Sequence, residues 1–228
     1  MKRAVGQQIE QLKAKLGGYV AMLNFRYSNL CIEADPVSLL SAKVEVEGTL
    51  KNLEEVAQVA VHETYHFVVK PIYEEDFFPV GLAIMKEHPE FKQELKTLDG
   101  YAEGDPAGKY LFYTMPEVDD NRHDTMVNAV DVFYDECKAQ MAKAGEECVT
   151  QIAPLQVGSS PMEIAQVAEY IEKITKFYND MRDSNHDNKK QEVEKAYEEY
   201  KAKQKEKEAE EQEKQQAEGN PLQMKIEN

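Results

Sequence analysis

The chain has 228 residues, of which 42% are hydrophobic and 31% charged, enough for one large domain or two small ones around a packed core. Its formal net charge of -16 argues against a generic nucleic-acid or DNA binder, because phosphates call for a basic face, although a local basic stripe stays compatible with it. Three cysteines without a CxxC spacing argue against a disulfide framework, and no apolar run approaches the roughly 18 residues that span a bilayer.

The start, MKRAVGQQIEQLKAKLGGYV, is basic with a single acid, Glu10, a composition that resembles an organellar targeting peptide. Ile9, Leu12, Leu16, Val20 and Leu23 recur at spacings of three and four, so the same residues predict a core-facing helix over 2–30, with Gly17-Gly18 as a weak point. Asp35-Pro36 breaks this pattern.

From 37 to about 113 the pattern is mixed. Lys43 to Glu47 alternates and Gly48 breaks it, which predicts a strand and a turn. Val56, Val59, Val61 and Phe67-Val68-Val69 predict further extended segments ending at Pro71. Phe78 to Lys86 predicts a short helix and Glu90 to Leu98 a second, weakly helical piece. Asp99 to Gly108, with its glycines and proline, reads as a loop, and Tyr110 to Tyr113 as a last strand.

Asp119-Asp120 offers N-cap chemistry for a long helix whose apolar face carries Val127, Val130, Phe133, Cys137, Met141 and Ala144, continuing through Cys148 and Ile152 to Pro154. Ser160-Pro161 starts a third helix, marked by Ile164, Val167, Ile171, Ile174 and Tyr178. From about Asn188 the text is Lys/Glu/Gln-rich, and apolar residues fade after Val193, Ala196, Tyr197 and Tyr200. Flexibility is expected after Gly219-Asn220-Pro221.

The fold class that follows is α+β: a three-helix bundle with a small α/β domain inserted after the first helix, plus a charged C-terminal helical tail. Residues 1–34 and 114–187 form the bundle, 35–113 the insert, and 188–228 a helical or disordered tail. The crossings near 34–37 and 108–116 make a double hinge, with Asp35, Pro36, Gly108 and Lys109 as its residues.

His62-Glu63-Thr64-Tyr65-His66 spells HExxH, which binds zinc only when both histidines share one helical turn. Its flanks, AQVAV and FVVKP, are β-like, and in an extended strand the imidazoles stand about 13 Å apart, too far for one metal. Cys137 and His123, fourteen residues apart on a helix, are separated by roughly 21 Å and form no nucleophile pair. Glu74-Glu75-Asp76 and Asp119-Asp120 read as solvated helix starts rather than metal ligands. Neither GxxxxGK[ST] nor GxGxxG occurs, so no catalytic residue, metal or cofactor is assigned.

The order of these elements resembles the ribosome recycling factor family. Ala34, Pro36 and the Leu39-Leu40 pair match the segment after that family's first helix, although Ile32 and Glu33 stand where its two arginines lie. Val44 to Thr49, Leu53 to Ala57, Val80 to Met85, Met115-Pro116 and Asp119 to Asp124 continue the likeness, which covers roughly residues 5–180. The resemblance implies a non-enzymatic protein that binds large-subunit ribosomal RNA and ribosomal proteins and, with an elongation-factor-type GTPase, splits the ribosome after termination. It implies no membrane partner.

Family arginines in the second bundle helix correspond here to Lys138, Ala142, Gly145 and Glu146, so only Lys138 keeps the charge, with Lys143 beside it. Arg26, Arg122, Lys138 and Lys143 are the candidate RNA contacts, with Lys173 and Lys176 behind them. The alternative is a recycling-factor fold retained as a structural ribosomal protein or assembly factor without splitting activity. The divergence and the basic start point to a mitochondrial ribosome.

Overall fold

The computed structural model describes residues 2–39, 42–102 and 105–218. Leu40 of the leucine pair and the Gly219-Asn220-Pro221 segment lie outside the described residues. Two separate hydrophobic cores form, one in a helical bundle and one in an inserted α/β unit.

The bundle begins with α1 (Arg3–Ser28), where Val5, Ile9, Leu12, Leu16, Val20, Leu23 and Tyr27 are all buried. Each such side chain contributes about 1.5–3 kcal/mol on burial, so the basic start is built into the core. The helix runs unbroken through Gly17-Gly18, and Gly17 lies against the Tyr178 ring, which an added Cβ would meet at 3.5 Å.

In the insert, β1 (Lys43–Val46) and β2 (Thr49–Asn52) form a hairpin across Glu47-Gly48. Both turn residues have positive φ, 52° and 75°, the left-handed pair that a two-residue hairpin requires. A short α2 (Leu53–Val56), which the sequence pattern did not reveal, is closed by a capping box between Asn52 and Glu55.

β3 (Ala57–Glu63) and β4 (His66–Pro71) form a second hairpin. α3 (Phe77–Glu87) buries Val80, Ala83 and Ile84 in the insert's core, with Phe67 and Val69 of β4. The sheet is antiparallel in the order β3-β4-β6-β5, with β5 (Lys92–Thr97) at one edge and β6 (Lys109–Thr114) beside it.

The chain returns to the bundle with α4 (Asp120–Ile152), capped by Asp119, whose carboxylate accepts the Arg122 backbone N–H at 2.8 Å. α5 (Pro161–Glu218) starts at a Ser160–Glu163 capping box and is about 87 Å long at 1.5 Å per residue.

Three expectations are corrected. Glu90 to Leu98 is not helical: Lys92–Thr97 is an edge strand whose whole length pairs with β6. Cross-strand pairing with β6 overrides the weak helical pattern of its Lys-Gln-Glu-Leu-Lys-Thr text. The tail has no boundary at 188, because α5 continues without a break and buries Val193 and Ala196 in the bundle core.

Gly108 and Lys109, read as hinge residues, lie inside the insert rather than at a crossing. Lys109 pairs with Thr97 at the start of β6, and Gly108 is packed so closely that an added Cβ would lie 2.5 Å from Tyr101 Cβ. The second crossing instead follows β6, through Met115 to Val118. Among the described residues, no helix is long and apolar enough to cross a membrane.

Candidate interdomain joint and nucleic-acid interface

The two crossings meet at the turn between β3 and β4. The Ala34 N–H donates to the Thr64 carbonyl at 2.7 Å, and the Met115 N–H donates to the Tyr65 carbonyl at 2.8 Å. The HExxH segment therefore forms a hairpin whose turn holds both linkers. Its histidine rings both approach Phe112, with centroids at 6.0 Å for His62 and 5.1 Å for His66. The β-like flanks forecast strands here, but the hairpin brings the two rings nearer than an extended strand would.

Arg122 ties the same joint from the bundle side. Its guanidinium donates to the Pro116 carbonyl and, at 2.9 Å, to the Cys31 carbonyl, one on each crossing. Burial lowers the Arg122 pKa from its ordinary value. A lysine presents a single ammonium and cannot span two carbonyls in this fixed fork. Arg122 thus acts on the chain's own backbone, whereas sequence reasoning offered it as an RNA contact.

Cys31 is buried and holds a left-handed φ of 45°, an uncommon value for a residue with a side chain. Its Sγ lies 3.7 Å from His88 Nδ1, and His88 Nε2 contacts the Ser38 carbonyl at 3.2 Å. Burial alone would lower the His88 pKa; hydrogen bonding to Cys31 and Glu90 outweighs it and raises the value. His88 is carried by the insert, so it fastens that domain to the first crossing.

The first crossing has local order of its own. Asp35 accepts the Val37 N–H at 3.0 Å, and Ser38 Oγ donates to the Asp35 carbonyl at 2.6 Å, just where Pro36 opens a 3-10 turn. Asp35 and Pro36 therefore lie within the first crossing.

The extended α5 reaches the joint. Tyr197 stacks on His123 with centroids 4.1 Å apart, and His123 Nε2 meets Glu194 at 3.0 Å. Further along, Lys203 pairs with Glu117 at 3.1 Å and stands 5.1 Å from the Tyr65 ring centroid. One side chain of α5 so touches both the second crossing and the insert.

The other basic candidates are spread over the bundle. Arg26 pairs with Glu136 and lies over the Phe133 ring at 3.7 Å, fixing α1 to α4. Lys138 and Lys143 are exposed on α4, and Lys138 Nζ is 5.9 Å from the Tyr134 ring centroid. Lys173 and Lys176 pair along α5 with Glu169 at 2.6 Å and Asp180 at 2.7 Å. These five are distributed over α1, α4 and α5.

Sequence reasoning missed Arg182. Its guanidinium is buried, bonded to Asp183 at 2.6 Å and Asn179 at 3.0 Å, and lies over the Tyr134 ring at 4.9 Å. A signal existed: Arg182 falls on the register of Ile171, Ile174 and Tyr178, an apolar stripe where a charge needs a partner. Among the described residues, no group of His, Cys, Asp and Glu is arranged to hold a metal.

Comparison with known proteins agrees with this architecture. No curated protein sequence matches the chain. A solved structure described as the solution structure of the ribosome recycling factor aligns with a TM-score of 0.67 at 17% identity, covering 86% of this chain and 100% of that one. A second aligns with a TM-score of 0.54 at 20% identity, covering 83% and 98%. It is described as models for the T. thermophilus ribosome recycling factor and the E. coli elongation factor G bound to the E. coli post-termination complex. The profile of the family described as Ribosome recycling factor matches residues 28–193, the greater part of the sequence, and the chain therefore belongs to that family.

Proposed function

We propose that the chain binds the large ribosomal subunit and takes part in splitting the ribosome after termination, together with an elongation-factor-type GTPase. The observation that carries this reading is the joint. Two separately packed bodies are connected by two crossings that meet at one turn, so force on the insert can move it against the bundle. The second structural relative supports the partners, since it is described with both a GTPase and a post-termination complex. The activity needs no catalytic residue and no cofactor of the chain's own. Lys138 and Lys143 are the exposed cations of α4 proposed to face ribosomal RNA, whereas Arg26 and Arg122 serve chiefly to hold the bundle and the joint.

The test is a splitting assay. Post-termination ribosomes are incubated with the purified chain, the GTPase and GTP, and subunits are separated on a sucrose gradient. Free subunits that appear only when chain and GTPase are both present support the reading; intact ribosomes in every arm oppose it.

A second reading is favoured by Lys203, which fastens α5 to the second crossing and to the insert at once. A joint held in this way suits a permanent structural ribosomal protein or an assembly factor. Retention in large subunits washed at high salt selects it. The mitochondrial setting is part of the proposal too, and rests on the replaced family arginines; fractionation of organelles tests it.

A further inference from the structure

The α4 positions where the family carries arginines do not face plain solvent. Ala142, Gly145 and Glu146 line an open groove of about 810 Å³ between α4 and α5. Its walls are aliphatic, with Val149 56% exposed and Ile164 41% exposed from the two helices.

Gly145 adds an independent sign. Glycine in a helix interior weakens the helix relative to alanine, and nothing within the chain requires it here, because an added Cβ would meet no atom within 4 Å. A partner's backbone approaching closely would require it.

The rim decides which occupant fits. Glu146 and Glu172 border the groove and have no ion-pair partner among the described residues, while Asp180 is already paired with Lys176 at 2.7 Å. Unpaired carboxylates repel RNA phosphate and anionic lipid headgroups. They also oppose a second copy of this chain, whose own rim would meet them with like charge and whose net charge is -16.

We propose that this groove docks a basic amphipathic helix of a protein partner: an aliphatic stripe lies against Val149 and Ile164, and flanking lysines or arginines meet Glu146 and Glu172. Its ribosomal setting rests on the function proposed above. At these positions the chain would exchange phosphate contacts for a protein contact.

The experiment places a photo-crosslinking benzoylphenylalanine at Val149 or at Ile164 of the full chain in its own cells and identifies the crosslinked segment by mass spectrometry. Both positions should reach the same segment of one protein, aliphatic on one helical face and flanked by Lys or Arg. The double reversal Glu146→Lys with Glu172→Lys should lower the yield about tenfold. The Cβ of Gly145→Leu meets no atom of the chain within 4 Å and leucine favours a helix over glycine, so this variant should lower the yield similarly while the melting midpoint does not fall.

Crosslinks to RNA, to lipid, to a second copy or to no common segment overturn the proposal, as does an unchanged yield in Gly145→Leu. Sedimentation of the unsubstituted chain keeps the two readings apart. Absence from ribosomal particles with the common crosslink intact sinks the ribosomal function but not the groove; co-sedimentation with crosslinks to RNA does the reverse.

Discussion

Arg122 donates its guanidinium to the carbonyl oxygen of Cys31 at 2.9 Å, a bond that joins the start of the second bundle helix to the first crossing into the insert. With its second bond to Pro116, it holds both crossings from one side chain. A charged hydrogen bond contributes about 1.5–3 kcal/mol, and this one is only partly screened. Arg122→Ala should therefore lower stability by about 3 kcal/mol, read from the urea midpoint. Arg122→Lys should recover no more than half of that, because an ammonium cannot bridge the two carbonyls.

Gly108 and Pro116 separate packing from jointing. Gly108→Ala brings a methyl to 2.5 Å from Tyr101 Cβ, so the insert should lose about 1–3 kcal/mol while interdomain motion stays unchanged. Pro116→Gly loosens the second crossing, and should broaden the interdomain distance distribution measured between spin labels in α4 and α3. A broader distribution in Gly108→Ala instead would restore the hinge to that position.

The stretch of α5 from Val193 to Tyr197 belongs to the bundle rather than to a solvated appendage. Val193 is buried in the bundle core, and Val193→Asp should lower stability by about 3 kcal/mol or more. Removing everything after Gln204 should leave the melting midpoint nearly unchanged. Removing everything after Asp187 should lower it sharply, because Val193, Ala196 and the Tyr197–His123 stack go with it.

Two titrating groups hold α5 to α4 in opposite pH windows. Partial burial pulls the His123 pKa down, but hydrogen bonds to Glu194 and Asp124 outweigh it and raise it above the ordinary value. Its contribution is complete below about pH 6.5 and fades as pH rises through the raised value. Asp131 is held below the usual carboxylate range by hydrogen bonds to Lys190 and His186. Its contribution is present above that range and is lost as pH falls through the lowered value. Melting midpoints across pH should decline on both flanks; His123→Gln should reduce the basic-side decline, to which His88 also contributes, and Asp131→Asn should reduce the acidic-side one.

The long elements were legible because each is an unbroken 3.6-residue pattern with a chemical stop. Asp119 and Ser160 cap the helices where the sequence places them, and Leu12 or Val130 cannot face water in quantity. β5 was not legible, since Lys92, Glu94 and Lys96 carry no apolar alternation and the strand exists only through its partner β6. The joint was half legible. Pro36 announces one crossing, whereas the other depends on carbonyls of Tyr65 and Pro116, and a backbone acceptor leaves no residue signature. The groove was visible only as arginines replaced by Ala142, Gly145 and Glu146; their shared space needs the pairing of α4 with α5.

The most direct measurement is sucrose-gradient sedimentation of extracts from the chain's own cells and organelles, with and without magnesium sufficient to hold subunits together. The account predicts that the chain travels with large subunits and whole ribosomes, shifts with the large subunit when magnesium is withdrawn, and is weakened by Lys138→Glu with Lys143→Glu. A chain that stays at the top of every gradient, away from all ribosomal particles, would contradict it.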